Sequence, residues 1–212
     1  MKYVWINPVT DSMYDKQHLH EYLVRNGYER VNVLENWAHI VKDKYKKCVA
    51  ESEHTVIDMR CPRMMEILDD HQVCSKITIP DVYPILIHCA LEISKRDELR
   101  GIEKVITTPC QCLADMGNKL GLEETYFVTW NQFMKVIGEY LPGKKQKNSP
   151  IPPGFFDETG ISTISITGEE KIRNCLNEFE ENEVELIEFL YCENGCHNGD
   201  GVRMWEYEEN NI

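Results

Sequence analysis

The sequence predicts an α/β fold of two lobes with mainly parallel sheets. Three observations carry that expectation. Short apolar runs rich in β-branched residues alternate with amphipathic helical stretches, the order that builds β–α units and parallel sheets. The 212 residues are 42% hydrophobic, enough for one large domain or two lobes around a shared cleft. A Pro/Gly-punctuated stretch from 141 to 154, with Pro142, Gly143, Pro150, Pro152, Pro153 and three lysines, interrupts the pattern as a loop or linker.

The elements follow in order. Lys2 to Ile6 reads as a buried strand. Asp15 to Asn26 has an amphipathic helical pattern, with Gly27 placed to end it. Val31 to Leu34 reads as a second strand and Asn36 to Lys47 as a second helix. Thr55 to Asp58 is a short apolar strand that delivers Cys61, and Pro62 suits the first turn of a helix through Met64 to Leu68. Tyr83 to Ser94 reads as helical, with Pro84 near its start. Val105 to Thr108 is another strand, running into Pro109 and Cys110. Tyr126 to Val128 is strand-like, and Asn131 is placed to cap a helix from Gln132 to Glu139. After the linker, Ile161 to Ile166 alternates as a strand. Gly168 to Glu180 forms a helix with an apolar stripe of Ile172, Leu176 and Phe179. Val184 to Leu190 is the last strand and runs into Cys192. The tail from Tyr207 to Ile212 is acidic and reads as loosely ordered. The expected organisation is a single domain over 1–212. Residues 1–140 form a first lobe, 141–154 the linker, and 155–212 a second segment carrying a Cys-x-x-x-Cys pair.

Composition narrows the function classes. A formal net charge of −13 argues against nucleic acid, whose binders present basic surfaces. It favours solubility and a basic protein partner. No run of about 18 apolar residues suggests a membrane span. The first residues turn polar too soon for a signal peptide. Nine cysteines, an odd number without a secretion signal, point to thiols or metal in a reducing cytosol rather than to a disulfide framework.

Four of those cysteines fall in three local motifs. Cys61 lies in Asp58-Met59-Arg60-Cys61-Pro62, and Cys110 in Thr107-Thr108-Pro109-Cys110. Cys192 and Cys196 bracket Glu193-Asn194-Gly195, with Gly199 and Gly201 following. Each motif sets a cysteine beside proline or glycine after an apolar run. Thiolates at such strand ends can converge on one inorganic cluster, with turn amides donating to its sulfurs. The same thiols also suit a tetrathiolate zinc site, or simple packing as small hydrophobes. Cys48, Cys74, Cys89 and Cys175 lie in or beside helical patterns and read as core or surface thiols. Cys112 reads as an unliganded thiol, an auxiliary ligand or a redox-active thiol. His197 reads as an exposed loop histidine or as a donor to the cluster; His18 and His88 read as packing or surface residues. Arg60 reads as a cation beside the cluster or as half of a surface salt bridge. A Cys192–His197 thiol hydrolase is the remaining catalytic reading, since no phosphate loop, G-x-S-x-G elbow or H-E-x-x-H helix occurs.

In order and setting these motifs resemble the cluster-binding domain of iron-only, or [FeFe], hydrogenases. That family carries T-S-C-C-P, then P-C-x-x-K-x-x-E, then M-x-C-x-x-x-C-x-x-G-G-G. The resemblance spans roughly Thr55 to Gly201. It implies a two-lobed domain around a [4Fe–4S] cluster, in an anaerobe's protein, held by Cys61, Cys110, Cys192 and Cys196. Cys196 takes the place that bridges to a two-iron unit in the family. The departures are specific. Arg60 stands where the family has its proton-relay cysteine. Leu113 stands where a lysine hydrogen-bonds a cyanide of the two-iron unit. Met116 replaces the relay glutamate, and Leu190 the methionine before the third ligand. The cluster ligands persist while the diiron anchor and the proton path do not. The expected possible neighbours of the cluster are Arg60, Cys112, Leu113 and His197. The expected function is electron transfer or redox sensing with a redox protein partner, without hydrogenase activity. The alternatives are a cluster-assembly or carrier protein, and an enzyme that binds a small molecule beside Cys196.

Overall fold

A computed structural model describes residues 1–69, 77–179 and 184–203. In chain order the elements begin with β1 (Lys2–Trp5), α1 (Pro8–Met13), α2 (Lys16–Arg25), β2 (Tyr28–Arg30), α3 (Trp37–Glu51) and β3 (Thr55–Ile57). There follow α4 (Arg63–Asp69), β4 (Ile77–Thr78), α5 (Ile85–Ser94), β5 (Lys104–Thr108), α6 (Gln111–Lys119) and β6 (Thr125–Thr129). The last are α7 (Trp130–Ile137), β7 (Thr163–Thr167), α8 (Glu169–Asn177) and β8 (Leu186–Leu190). The fold is α/β, and among the described residues every strand pairing is parallel.

The chain forms two compact units, each assembled from separated stretches. The first unit comprises 1–34, 89–151 and 196–212, and the second 35–88 and 152–195. The sequence reading places its break at the 141–154 loop. The observed division instead interleaves the two units along the chain. Residues 141–154 do lack helix and strand, but 141–151 belong to the first unit and 152–154 to the second.

The first unit holds a four-stranded sheet in the order β2-β1-β5-β6. Its core joins Val4, Ile6 and Val105 to Leu19, Tyr22 and Leu23 of α2 and to Trp130, Phe133 and Met134 of α7. Trp130 is fully buried and lies 5.6 Å, centroid to centroid, from Tyr14. Burying each Val, Leu, Ile, Phe or Met side chain of this core contributes about 1.5–3 kcal/mol. The Trp130 indole N–H donates to the Tyr14 hydroxyl at 2.8 Å, and that hydroxyl donates to the Leu141 carbonyl at 2.9 Å. The Lys144 N–H donates to the Met13 carbonyl at 2.8 Å. The start of the irregular segment is therefore tied to this unit's core.

The second unit holds a four-stranded sheet in the order β4-β3-β8-β7. One apolar cluster packs Met64, Ile67 and Leu68 of α4 and Ile172 and Leu176 of α8 against Ile57, Ile187 and Phe189. Another packs Val41 and Tyr45 of α3 with Val56, Leu186 and Phe156. All residues of β3 and β8 are buried, as expected for inner parallel strands covered on both faces.

Several elements differ from the sequence reading. The second strand is Tyr28–Arg30 rather than Val31 to Leu34. Gly27, at φ 82°, turns the chain directly out of α2, so Tyr28 already pairs with Lys2. The cap of α7 is Thr129, not Asn131. The Thr129 hydroxyl accepts from the Gln132 N–H, and the Gln132 side chain accepts from the Thr129 N–H. Helix α6, directly after Cys110, is an addition to the elements expected. Its Gly117 admits the Phe127 ring, since a Cβ there would lie 2.2 Å from that ring. α8 ends at Asn177. The expected helix end at Glu180, the Cys74 thiol and the acidic tail from 207 to 212 lie outside the described residues.

Candidate functional site

The four motif cysteines all follow the carboxyl ends of parallel strands, where sites in open α/β sheets form. Cys61 follows β3, Cys110 follows β5, and Cys192 and Cys196 follow β8. By unit they divide into two pairs: Cys61 and Cys192 belong to the second unit, Cys110 and Cys196 to the first.

In the second unit, β3 and β8 are adjacent parallel strands, with Ile57 opposite Ile187. This pairing sets the two cysteine turns side by side. Cys61 is partly buried and packs against the core beside Tyr191. Burial pushes its thiol up to about 12. The Tyr191 and Arg63 backbone N–H groups donate to its sulfur and oppose that rise, while negative charge on Cys192 and Asp58 adds to it. The chain turns sharply between Cys192 and Cys196, with Asn194 at φ 58° and Gly195 at φ 116°.

In the first unit, the turn at Cys110 packs against the loop that follows Cys196. The Gly201 N–H donates to the Pro109 carbonyl at 3.0 Å. The Gln111 N–H donates to an Asp200 carboxylate oxygen at 3.0 Å. A Cβ on Gly199 would lie 2.3 Å from the Pro109 carbonyl oxygen, and one on Gly201 would lie 3.0 Å from the Cys110 nitrogen and 2.7 Å from Thr129. Both glycines singled out in the sequence are thus required by close backbone approach. Cys196 itself packs against the unit's core.

The expected neighbours of the cluster take definite places. Leu113 is buried in α6, and Cys112 precedes it on the same helix, partly buried. The His197 N–H donates to the Ser149 hydroxyl at 3.4 Å, and among the described residues its buried Nδ1 finds no hydrogen-bond partner. It is partly buried rather than an exposed loop histidine. His88 is buried and stacks on Trp37 at 5.0 Å, whereas His18 is exposed on α2. Among the described residues, no three His, Cys, Asp or Glu side chains form a group able to hold a metal ion.

Arg60 requires a correction. It is not half of a surface salt bridge, because its guanidinium is buried between two carboxylates. It lies 2.7 Å from Asp58 and 2.5 Å from Glu188, both fully buried. Burial disfavours its charge, but Asp58 and Glu188 outweigh that penalty and raise its pKa. The guanidinium also stacks 3.8 Å from the centroid of Phe155.

No protein-family model and no curated protein matches the chain. Sequence reasoning missed Asp58, Glu188 and Tyr45. The Tyr45 hydroxyl accepts the Met59 N–H at 2.8 Å and donates to Asp58. A signal for Glu188 was present: it is the one charged residue in the otherwise apolar run Leu186 to Leu190. A carboxylate in a strand buried on both faces must find a partner.

Proposed function

We propose that the chain is a [4Fe–4S]-binding protein of hydrogenase-like design that transfers electrons or senses redox state without turning over hydrogen. The observation that carries this reading is the setting of Cys61, beside Cys192 and facing two backbone N–H donors. Burial alone holds such a sulfur protonated, and the donors beside it suit a thiolate whose charge is shared with a metal. The reading draws its donors from four thiols on turns that follow strand ends. A bound [4Fe–4S] cluster would supply one-electron redox chemistry. The chain's own part is to hold Cys61 and Cys192 on one pair of turns and Cys110 and Cys196 on the other. Hydrogen chemistry is set aside on two residues. Leu113 is apolar and buried where the family places a lysine. Arg60 is occupied by Asp58 and Glu188 and stays protonated, so it cannot act as a relay base. In this reading the protein works in a reducing cytosol, and its charge of −13 suits a basic redox partner.

The test is anaerobic purification with iron and sulfide analysis. About four irons per chain are expected, the stoichiometry of the cluster. Serine at Cys61, Cys110, Cys192 or Cys196 should remove most of them. A colourless, zinc-loaded protein would sink the reading. Hydrogen evolution with a reduced dye should be absent even beside hydrogenase maturation proteins, and turnover there would overturn the redox assignment. Reversible reduction with the cluster retained supports electron transfer or sensing. Transfer of the cluster to an apo acceptor would favour a carrier instead.

A further inference from the structure

Among the described residues, three of the four sheet edges are guarded against pairing with another strand. In the first unit the edge strand β2 carries Glu29 and Arg30, and charge on an edge discourages a further strand. At the opposite edge the Asn118 side chain occupies β6. Its amide donates to the Phe127 carbonyl at 2.8 Å and accepts the Phe127 N–H at 2.9 Å. In the second unit β4 is two residues long, and very short edge strands make poor templates. The remaining edge is β7, which among the described residues has β8 as its one neighbour. None of the residues of β7 is buried, whereas all those of β8 are. From Thr159 to Gly168 the chain holds no charged residue and no proline.

The ladder fixes which groups of β7 face outward. The Leu186 N–H donates to the Ser162 carbonyl, and the Gly168 N–H donates to the Leu190 carbonyl. Backbone direction alternates along a strand, so Ile164 and Ile166 also bond to β8. Thr163, Ser165 and Thr167 turn their N–H and C=O groups to the open edge. Side chains alternate as well. Ile166 packs against the core beside α4 and α8, and Ile164, on the same face, is left 39% exposed. The apolar core of this unit runs out at its edge strand.

We propose that β7 is a self-association site, where a second copy of this chain adds its own β7 antiparallel about a twofold axis through Ser165. The local sequence favours a copy over a foreign strand. Thr163-Ile164-Ser165-Ile166-Thr167 reads the same in both directions. A reversed copy therefore sets Ser165 against Ser165, Thr163 against Thr167 and Ile164 against Ile166. The outward-facing residues meet as hydrogen-bonded pairs that exchange both bonds, with Cα atoms about 5.5 Å apart. The isoleucines meet at the closer positions between them, where β-branched pairs stabilise a sheet, and each exposed Ile164 is covered by Ile166 of the second copy. No like charges are brought together along the strand, and a peptide of either sign would find no counter-charge there. The two sheets join edge to edge, β7 beside β7, and the twofold contact closes at the dimer. A ladder this short fits a dimer that forms with rising concentration, not an obligate one.

The test is sedimentation velocity of the whole chain in reducing buffer, across the micromolar range. The wild-type chain should pass from monomer to dimer as concentration rises. Ile164→Lys sets a charge against Ile166 of the second copy. Thr163→Pro removes an outward N–H at the first residue of the strand, where proline is tolerated. Each should weaken dimerisation about tenfold or more. Ile164 is exposed, so its variant remains informative if Thr163→Pro fails to fold. Ser165→Cys, mildly oxidised at dimer concentrations, should give a disulfide between the two introduced thiols, located by peptide mass spectrometry, because hydrogen-bonded antiparallel pairs lie within bridging distance. A chain that stays monomeric throughout overturns the proposal, as does a dimer untouched by both substitutions or growth beyond the dimer. A dimer whose introduced thiols do not link overturns the twofold register through Ser165.

Discussion

Gly199 and Gly201 are the positions where a single methyl group would do most damage near the site. A side chain at Gly199 meets the Pro109 carbonyl at 2.3 Å, a backbone atom that cannot rotate aside. Gly199→Ala should therefore displace the Cys110 turn and cost about 1–3 kcal/mol, the usual penalty of overpacking. Urea unfolding measures this directly, and an unchanged midpoint would show that the two loops are not packed as described. A second residue-scale effect concerns alkaline pH. Burial pushes the Cys89 thiol up to about 12 from 9.0, and burial pushes the Tyr22 phenol up to about 12 from 10.0. Both groups ionise more readily in the unfolded chain. Their contribution to stability is thus fully present below about pH 9 and is lost as pH rises toward 12. The urea midpoint of the metal-free chain should fall between about pH 8 and about pH 10.5. Cys89→Ala should flatten that slope, and an unchanged slope would mean that the thiol ionises alike in both states.

Among the elements, α7 carries the clearest local instruction. Thr129 and Gln132 satisfy each other's backbone donors in a capping box, and Gly138 closes the helix at φ 77°. Thr129→Ala should cost about 1 kcal/mol of stability, read as a lowered melting temperature; Thr129→Ser should restore most of it, because serine caps equally well. The sequence reading places this helix correctly but takes Asn131 as its cap. Asn and Thr are both good caps, and what decides between them is where β6 ends, which is set by pairing with β5 out to Thr108 opposite Thr129. Where an apolar stripe was long, as with Ile172 and Leu176, the burial pattern was legible. Where a strand was defined by its partner rather than by its own residues, as with Tyr28–Arg30, it was not. The motif cysteines were legible because turn residues flank them. Glu188 stands out as a lone charge in an apolar strand, but its partner was not legible, because Arg60 stands 128 positions away and is brought near only by parallel pairing of β3 with β8.

For the molecule as a whole, the interleaving of the two units has a direct test. Lys144, Lys145 and Lys147 are exposed in a stretch without regular structure, so trypsin should cut there first. Both units draw chain from either side of that cut. Gly201 bonds Pro109 within the first, and β8 pairs β3 within the second. The nicked protein should therefore elute as one species in size-exclusion chromatography and separate only in denaturant. Separation in native buffer would contradict the strand pairing.

The central place of β8 also bears on how the chain is made. Among the described strands it is the last in chain order, yet it lies between β3 and β7. Val56 must wait for Leu186, its partner in the ladder. At ordinary elongation speeds that wait is on the order of ten seconds. Through that interval one hydrogen-bonding edge of β3 is unpaired, and an exposed apolar edge invites pairing with other nascent chains. Slowing translation across this stretch, or depleting the chaperones that shield new polypeptides, should lower the soluble yield more than any surface substitution does. A message truncated before Leu186 should give only insoluble product.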